Sequence, residues 1–437
     1  MERSYDWVTK LTMLYERWRE IAGQRRAEMA LRDTASGRRW TFGELLAAGE
    51  QESAPPAGPA FPQGHTPDFI IQLLAAWREK RTVCPLEPGQ VPPDELQTAD
   101  FKFEVPNCVQ LKATSATGGV TRLVAFTAEQ LAADAENIVV TMGLRADWPN
   151  LGVTSMAHSY GFSNLVLPLL LHGVPLILAP APLPEIVRRA AEKEPAVTLA
   201  AVPAMWRTWH EAGAIPATVR LAISAGAPLP LAIEQAVFQT SSVKIHNFLG
   251  SSECGGIAFD ATDVPRADAT CAGAPMRNVS LSVNADGCLV VRSRAVGETY
   301  WPEKAAALGG GIFQTSDLAE LRDGLVFLRG RLGDQINVAG RKFSPETVER
   351  ALLTHPRVRE CLVFGAPSGD AGRLETVVAV VASELAEGEL KQFLLQRLPA
   401  WQVPRAWRFV AALPVNARGK LSRAEWRERY AKETFRD

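Results

Sequence analysis

The sequence predicts an α/β protein, with a large N-terminal domain in which helices cover mostly parallel sheets and a small C-terminal α+β domain. Between residues 176 and 224, short apolar runs alternate with amphipathic segments, and this βα rhythm is typical of a mostly parallel sheet. The apolar runs at 271–275 and 286–293 indicate a small β-rich subdomain. Beyond residue 331 the pattern changes to that of a compact α+β unit.

The length and composition are those of an ordinary multidomain protein. The chain has 437 residues, which is more than one compact core usually holds, so we expect a boundary between a domain at 1–331 and a smaller domain at 332–437. Hydrophobic residues make up 47%, charged residues 22%, and the net charge is −1. This near-zero balance gives no indication of nucleic-acid binding.

Neither the cysteines nor the apolar segments indicate a secreted or membrane protein. The six cysteines include no C-x-x-C pair, so neither a disulfide framework nor a zinc site is expected. The N-terminal segment is too charged for a signal peptide. The longest apolar run, 165–179, is interrupted by Pro168, Gly173 and Pro175, and it predicts a buried helix, a turn and a strand. We therefore expect a cytoplasmic protein with no membrane span.

The N-terminal region predicts helices that begin the αβ alternation. Residues 5–31 have the pattern of an amphipathic helix, and 41–50 begin a second helix with Thr41 as its N-cap. Residues 69–77 predict a further helix and 82–86 a short strand.

Two polar segments follow predicted strands. Residues 111–119 are rich in Ser, Thr and Gly, and such a loop offers N–H groups and hydroxyls to a polyphosphate, although a plain turn is the alternative. Residues 153–161 predict a strand that ends in a polar turn containing His158, which could equally be a hydrogen-bonded histidine at a strand end.

Three further segments contain candidate ligand-binding residues. The small residues at 224–228 would let the backbone approach a flat group, although they also suit a simple strand-to-helix turn. Glu253 lies in a Gly/Ser segment, where a solvated charge is the alternative to a metal ligand. Lys420 lies among arginines and could be an ordinary exposed lysine of a basic tail.

The stretch 314–353 links the two predicted domains. It contains Asp317 beside an apolar pair, a predicted strand at 324–331, and a strong helix start at Ser344 and Pro345. In this order, the segments from 111 to 423 resemble the AMP-forming adenylate synthetases, a family that includes acyl-CoA synthetases, aryl-CoA ligases and carrier-protein adenylation domains. Members of that family usually have a longer N-terminal region.

The resemblance implies a nucleotide site. The family's phosphate loop matches Thr114, Ser115, Thr117 and Gly118, with Arg122 near the expected lysine, whereas Ala116 departs from the pattern. The family's adenine-binding segments match Gly226, Ala227 and Pro228, and then Asn247, Gly250 and Ser252, with Leu249 in place of the usual aromatic residue.

The resemblance also implies the reacting groups. Glu253 matches the Mg²⁺ ligand, Asp317 and Arg331 the ribose-binding pair, and Lys420 the catalytic lysine. His158 matches a residue that borders the acid pocket, and Gly340 a residue beside the pantetheine arm. Ser159 stands where amino-acid-activating members have an Asp, which favours an acid without an α-amino group.

The implied function is ATP-dependent activation of a carboxylic acid to acyl-AMP, followed by transfer to a thiol. The expected cofactors are ATP, Mg²⁺ and either CoA or the phosphopantetheine of an acyl carrier protein. Small and apolar residues in the candidate pocket favour an aryl or fatty acyl substrate. The alternatives are a degenerate member that binds a nucleotide or acyl-adenylate without full ligase activity, and an adenylate-forming enzyme with another acceptor.

Overall fold

A computed structural model describes residues 2–53, 58–97, 105–114, 122–367, 375–413 and 423–434, with side chains from residue 13 onward. The first elements are α1 (Glu2–Gln24), β1 (Met29–Asp33), β2 (Arg39–Thr41), α2 (Phe42–Gln51), α3 (Pro67–Arg78), a 3₁₀ turn (Asp94–Leu96), β3 (Cys108–Ala113), β4 (Leu123–Thr127) and α4 (Ala128–Met142).

The middle of the chain alternates strands and helices, as predicted. It contains β5 (Asn150–Gly152), α5 (Ser159–Gly161), a π-helical turn (Phe162–Val166), α6 (Leu167–His172), β6 (Leu176–Leu178), α7 (Pro184–Ala191), β7 (Val197–Ala201), α8 (Pro203–Glu211), β8 (Val219–Ser224) and α9 (Leu231–Ser241).

The strands that follow are mostly antiparallel. They are β9 (Ile245–Ser251), β10 (Gly255–Phe259), β11 (Cys271–Pro275), β12 (Ser280–Val283), β13 (Cys288–Arg292), β14 (Thr299–Trp301), β15 (Leu308–Gly309), β16 (Ile312–Arg322) and β17 (Leu325–Arg331).

The C-terminal part forms a separate small sheet with helices. Its elements are a 3₁₀ turn (Leu332–Asp334), β18 (Ile336–Val338), β19 (Arg341–Phe343), α10 (Pro345–Leu353), β20 (Val358–Pro367), β21 (Glu375–Ser383), α11 (Glu387–Leu395), β22 (Ala406–Phe409) and α12 (Arg423–Thr434). The 3₁₀ turn begins at the residue where we place the domain boundary, and that boundary remains a prediction.

Within the described residues, one sheet of 14 strands spans the large part of the molecule, in the order β12-β13-β16-β17-β11-β10-β9-β8-β7-β5-β6-β1-β2, with β15 paired to β16. The strands from β1 through β6, β5, β7 and β8 to β9 are parallel, as the βα rhythm predicts. The β-rich subdomain extends this sheet with antiparallel strands. The α/β prediction is therefore confirmed.

The parallel section is buried on both faces. Leu176 and Leu178 of β6 pack into one apolar cluster, whereas Ile177 between them packs into another. This alternation follows from the opposite directions of successive side chains in a strand. Helices therefore cover both sides, and ligands have access mainly at the strand ends.

Local helix signals are correct where capping chemistry fixes them. The Thr41 side chain accepts a hydrogen bond from the Glu44 backbone N–H, and the Glu44 carboxylate accepts one from the Thr41 backbone N–H, which forms a capping box. Ser344 takes the N-cap position of α10, but its hydroxyl donates to the Glu346 carboxylate and does not cap the helix.

Three sequence-based expectations about elements are wrong. The first helix does not continue to residue 31, because 29–33 form β1 and pair with β6 and β2. Residues 82–86 contain isolated bridges in place of a strand. The strand predicted at 153–161 ends at Gly152, and residues 159–161 are helical. In each case, pairing with distant segments decides the boundary, which local patterns do not record.

Candidate active site

The predicted adenine-binding segments lie at neighbouring strand ends. Ala201 at the end of β7 is in register with Ser224 of β8, and Ser224 is in register with Asn247 of β9. The carboxyl ends of these parallel strands form one edge of the sheet, where ligands bind in open α/β folds. Gly226, Ala227 and Pro228 follow β8 directly and are exposed. The structure therefore places the 226–228 loop next to the strand that contains Asn247.

Residues 247–252 form the last part of β9 and the first residue of the turn before β10. The Asn247 amide donates to the Cys271 carbonyl at 3.2 Å, which fixes β9 against β11. Gly250 is exposed, and Ser252 is partly exposed in the turn that follows. Both residues thus lie between Asn247 and Glu253 along the chain.

Glu253 lies in a turn that is held from a distant part of the chain. Its backbone carbonyl accepts from the Gly297 N–H at 2.8 Å, and its carboxylate oxygen Oε1 accepts from the Tyr300 hydroxyl at 3.1 Å. Tyr300 reaches this position because β14 pairs with β4. Burial, and then the negative charge of Glu253, raises the pKa of Tyr300, so this hydroxyl stays a donor at neutral pH.

The surroundings of Glu253 fit a magnesium ion that also binds substrate phosphates. Mg²⁺ is usually held by one or two carboxylates together with phosphate oxygens and water. Glu253 supplies one partly exposed carboxylate. Among the residues that the structure describes, no group of three or more His, Cys, Asp or Glu could hold a metal.

The two ribose-binding candidates are direct neighbours. Asp317 of β16 is in register with Arg331 of β17, and Asp317 Oδ1 lies 2.9 Å from Arg331 Nε. Asp317 lies within a strand, next to a shift in strand register after Leu318. The Asp317 N–H donates to the Thr315 hydroxyl at 3.1 Å. Asp317 is partly exposed and accessible to a ligand.

His158 contacts a carboxylate that the sequence analysis does not single out. His158 Nε2 lies 3.1 Å from Oε1 of Glu87, and each side chain is about a third exposed. The Ser155 hydroxyl also donates to this Glu87 oxygen. Glu87 comes from a loop far away in the sequence, so no local signal could have linked it to His158.

Two aromatic rings pack together near the ends of β7 and β8. The Tyr160 ring packs against Phe248 at a centroid distance of 6.0 Å. The Tyr160 hydroxyl lies within 3.3 Å of the Ala201 carbonyl and 3.4 Å of the Ile223 carbonyl, at the ends of β7 and β8. Burial raises the pKa of Tyr160, so the hydroxyl remains protonated.

The two ends of the predicted phosphate loop are close together. The Thr114 N–H and hydroxyl both donate to the Arg122 carbonyl, at 2.8 and 3.1 Å. The Arg122 guanidinium lies 5.7 Å from the Tyr300 ring centroid. Ser115, Thr117 and Gly118 lie outside the described residues, and so does Lys420.

Gly340 occupies a hairpin turn of the C-terminal part. The turn joins β18 to β19, and Ala339 and Gly340 have φ values of +52° and +84°. A tight hairpin loop of two residues requires both residues to adopt left-handed backbone angles, and glycine adopts such angles easily. The Gly340 N–H donates to the Asn337 side-chain oxygen at 3.0 Å.

Comparison with protein families identifies two matching regions. Residues 102–301 match the model of the AMP-binding enzymes, and residues 347–420 match the model of the AMP-binding enzyme C-terminal domain. Together these regions cover more than half of the chain and include most of the candidate residues. The chain belongs to the AMP-binding enzyme family.

Relatives of this AMP-binding enzyme are CoA ligases. The 2-succinylbenzoate–CoA ligase of Bacillus cytotoxicus is 25% identical over 389 residues, which are 82% of this chain and 80% of that protein. The feruloyl-CoA synthase of an Amycolatopsis species is 27% identical over 392 residues, which are 84% of this chain and 78% of that protein. The predicted family and the class of acid–thiol ligases are thereby confirmed.

Solved structures share the fold. ATP-bound MatB from Rhodopseudomonas palustris superposes with a TM-score of 0.82 at 18% identity and covers 96% of this chain and 99% of that one. The o-succinylbenzoate CoA synthetase of Bacillus subtilis, in complex with its acyl-adenylate, has a TM-score of 0.81 at 20% identity and covers 94% and 97%. Helices of the described part include none that is both long and apolar enough to cross a membrane. The assignments of individual site residues remain predictions.

Replacing Tyr300 with Phe in the AMP-binding enzyme is expected to raise the Mg²⁺ concentration required for half-maximal pyrophosphate release. The effect should be about tenfold, because partners that orient a metal ligand typically contribute that much to metal affinity. Tyr15→Phe is the matched control, since its buried hydroxyl has no partner among the described residues and lies on α1. A Mg²⁺ titration that gives the same midpoint for Tyr300→Phe and wild type would contradict the expectation.

Proposed function

We propose that this enzyme activates a carboxylic acid with Mg-ATP and transfers the acyl group to the thiol of CoA, with a carrier-protein phosphopantetheine as the alternative acceptor. The observation on which this proposal rests most is the register of Ser224 with Asn247, which brings the two candidate adenine segments to the same edge of the large sheet. The CoA-ligase relatives favour CoA as the acceptor.

In the first step, a carboxylate oxygen of the acid attacks the α-phosphorus of ATP. The bond between that phosphorus and the bridging oxygen of the β-phosphate breaks, so acyl-AMP and pyrophosphate form. Both reactants are anions, and catalysis therefore depends on positioning and charge neutralisation. Glu253 would hold the magnesium ion, which neutralises phosphate charge when bound.

Other residues would position the nucleotide. Asp317 would accept hydrogen bonds from the ribose hydroxyls. Its Oδ1 already accepts from Arg331 Nε at 2.9 Å. The exposed 226–228 loop would lie against adenine, and Thr114 and Arg122 would flank the phosphates. Lys420 would neutralise the charge that develops between the carboxylate and the α-phosphate, a role that suits a point charge.

In the second step, a thiolate attacks the acyl carbonyl and AMP leaves. The hairpin turn at Gly340 would lie beside the pantetheine arm. Rotation of the C-terminal part between the two steps would exchange Lys420 for this turn, and such motions can limit turnover. We place the reaction in the cytoplasm.

The acid is expected to be an apolar aryl or acyl carboxylic acid. Tyr160 and Phe248 form an aromatic wall beside His158. Aromatic rings bind the apolar part of a ligand, and a small number of polar groups in the pocket fix the orientation of that ligand. The contact between Glu87 and His158 borders this region, and His158 would face the carboxylate end of the substrate.

Pyrophosphate release with Mg-ATP across aryl, short-chain and long-chain acids tests the proposal, with and without CoA. Release that depends on one class of acid and increases with CoA is the expected result. Dependence on an acid without any gain from CoA would indicate a carrier protein as acceptor. No release with any acid, from protein shown to be folded by circular dichroism, would overturn the proposal and favour a nucleotide-binding remnant.

A further inference from the structure

A lysine is buried beneath the turn that contains Glu253. Lys112 lies in β3 and is 3% exposed. Its Nζ atom lies 3.7 Å from Asp134 Oδ2 and 3.4 Å from the Ser163 hydroxyl. The same ammonium lies 4.4 Å from the centroid of the Phe126 ring. The ammonium is thus enclosed by one carboxylate, one hydroxyl and an aromatic face.

Asp134 connects this lysine to the Glu253 turn. It lies on α4 and is 1% exposed. Its Oδ2 accepts from the Ser163 hydroxyl at 2.6 Å, and its Oδ1 accepts from the Gly256 N–H at 3.1 Å. The carboxylate is packed so closely that a Cβ at Gly255 would lie 1.9 Å from Oδ1. The backbone two to three residues after Glu253 therefore rests on Asp134.

Packing alone does not account for a charged pair at this position. A well-packed apolar residue often stabilises a core as well as a buried ion pair does, whereas removing one partner leaves an uncompensated charge. The neighbours of Lys112 in β3, Leu111 and Ala113, are apolar. The pair instead fixes one geometry, since Asp134 contacts the Lys112 ammonium, accepts from the Ser163 hydroxyl and also accepts from the Gly256 N–H.

We propose that Lys112, Asp134 and Ser163 are positioning residues that fix the Glu253 turn relative to β3 for Mg-ATP binding. This inference rests on the proposed function. The three side chains connect β3, α4 and the π-helical turn to the start of β10. Tyr300 and Gly297 hold Glu253 from the opposite chain segment, so the turn is fixed from two sides.

The test is equilibrium binding of ATP by calorimetry, in the absence of acid and CoA and over a range of Mg²⁺ concentrations. Lys112→Met removes the charge and keeps an unbranched side chain of similar length. We expect binding that is roughly tenfold weaker, with a higher Mg²⁺ midpoint, because residues that orient a metal ligand contribute at least this much. Binding in the absence of Mg²⁺ should change less.

Arg32→Met is the matched control. Arg32 of β1 is also buried, and it forms an ion pair with Glu194 at 2.6 Å. Its loss should lower the thermal midpoint as the loss of Lys112 does, but it should leave the Mg²⁺ dependence of ATP binding unchanged. Equal weakening in both variants, or unchanged binding in Lys112→Met, would overturn the inference.

If Lys112→Met does not fold, Ser163→Ala tests the positioning role instead. It removes one hydrogen bond to Asp134 and keeps both charges, so a few-fold weaker Mg-ATP binding is expected, and unchanged binding overturns the inference. Wild-type protein that binds Mg-ATP but releases no pyrophosphate would contradict the proposed function alone. Wild-type protein that does not bind Mg-ATP would overturn both.

Discussion

Replacing Lys420 with alanine is expected to lower the rate of acyl-AMP formation by about a hundredfold or more, because removing one charge-stabilising group from a site of this kind typically has that effect. Transfer of the acyl group from supplied acyl-AMP to CoA should largely survive, since the second step does not require this lysine. Pyrophosphate release measures the first step, and thioester formation from synthetic acyl-AMP measures the second.

Lys432→Ala provides the control for this experiment. Lys432 is an exposed cation of the same basic C-terminal segment, on α12. It should keep both rates near those of the wild type, because an exposed charge contributes little. If adenylation by Lys420→Ala equals that of the wild type, then Lys420 is an ordinary residue of the basic tail. If both steps fall equally, its role is not confined to adenylation.

Replacing Glu253 with Gln is expected to reduce adenylation by about a hundredfold at physiological Mg²⁺. Metal stabilisation of phosphoryl oxygens is worth several kcal/mol, and about 1.4 kcal/mol corresponds to each factor of ten in rate. The substitution keeps the shape of the side chain and an oxygen that can accept from Tyr300. Excess Mg²⁺ should restore part of the rate, which a Mg²⁺ titration of pyrophosphate release would measure.

Glu298→Gln is the matched control for the loss of one negative charge. Glu298 is exposed and follows Gly297, which donates to the Glu253 carbonyl, so it is close in space to the same turn. It should leave the Mg²⁺ midpoint unchanged. A normal midpoint for Glu253→Gln, or equal shifts in both variants, would show that Glu253 is not the metal ligand.

The sequence by itself determined the family, the α/β class and several local structures. The order of polar motifs between 111 and 423 predicts the adenylate-forming family, which the family models confirm. The Thr41 N-cap forms as predicted. This feature depends on neighbouring residues, because a capping side chain bonds within its own turn.

The tertiary structure alone decided which side chains meet. Tyr300 reaches Glu253 only because β14 pairs with β4, and Glu87 reaches His158 from a loop far away in the sequence. The boundary of the first helix is another example. Residues up to 31 were predicted to be helical, but β1 forms there because it pairs with β6. Such contacts join segments that are distant along the chain, and their energies depend on burial and pairing geometry. No short sequence pattern contains either quantity, because both arise only when the sheet has assembled.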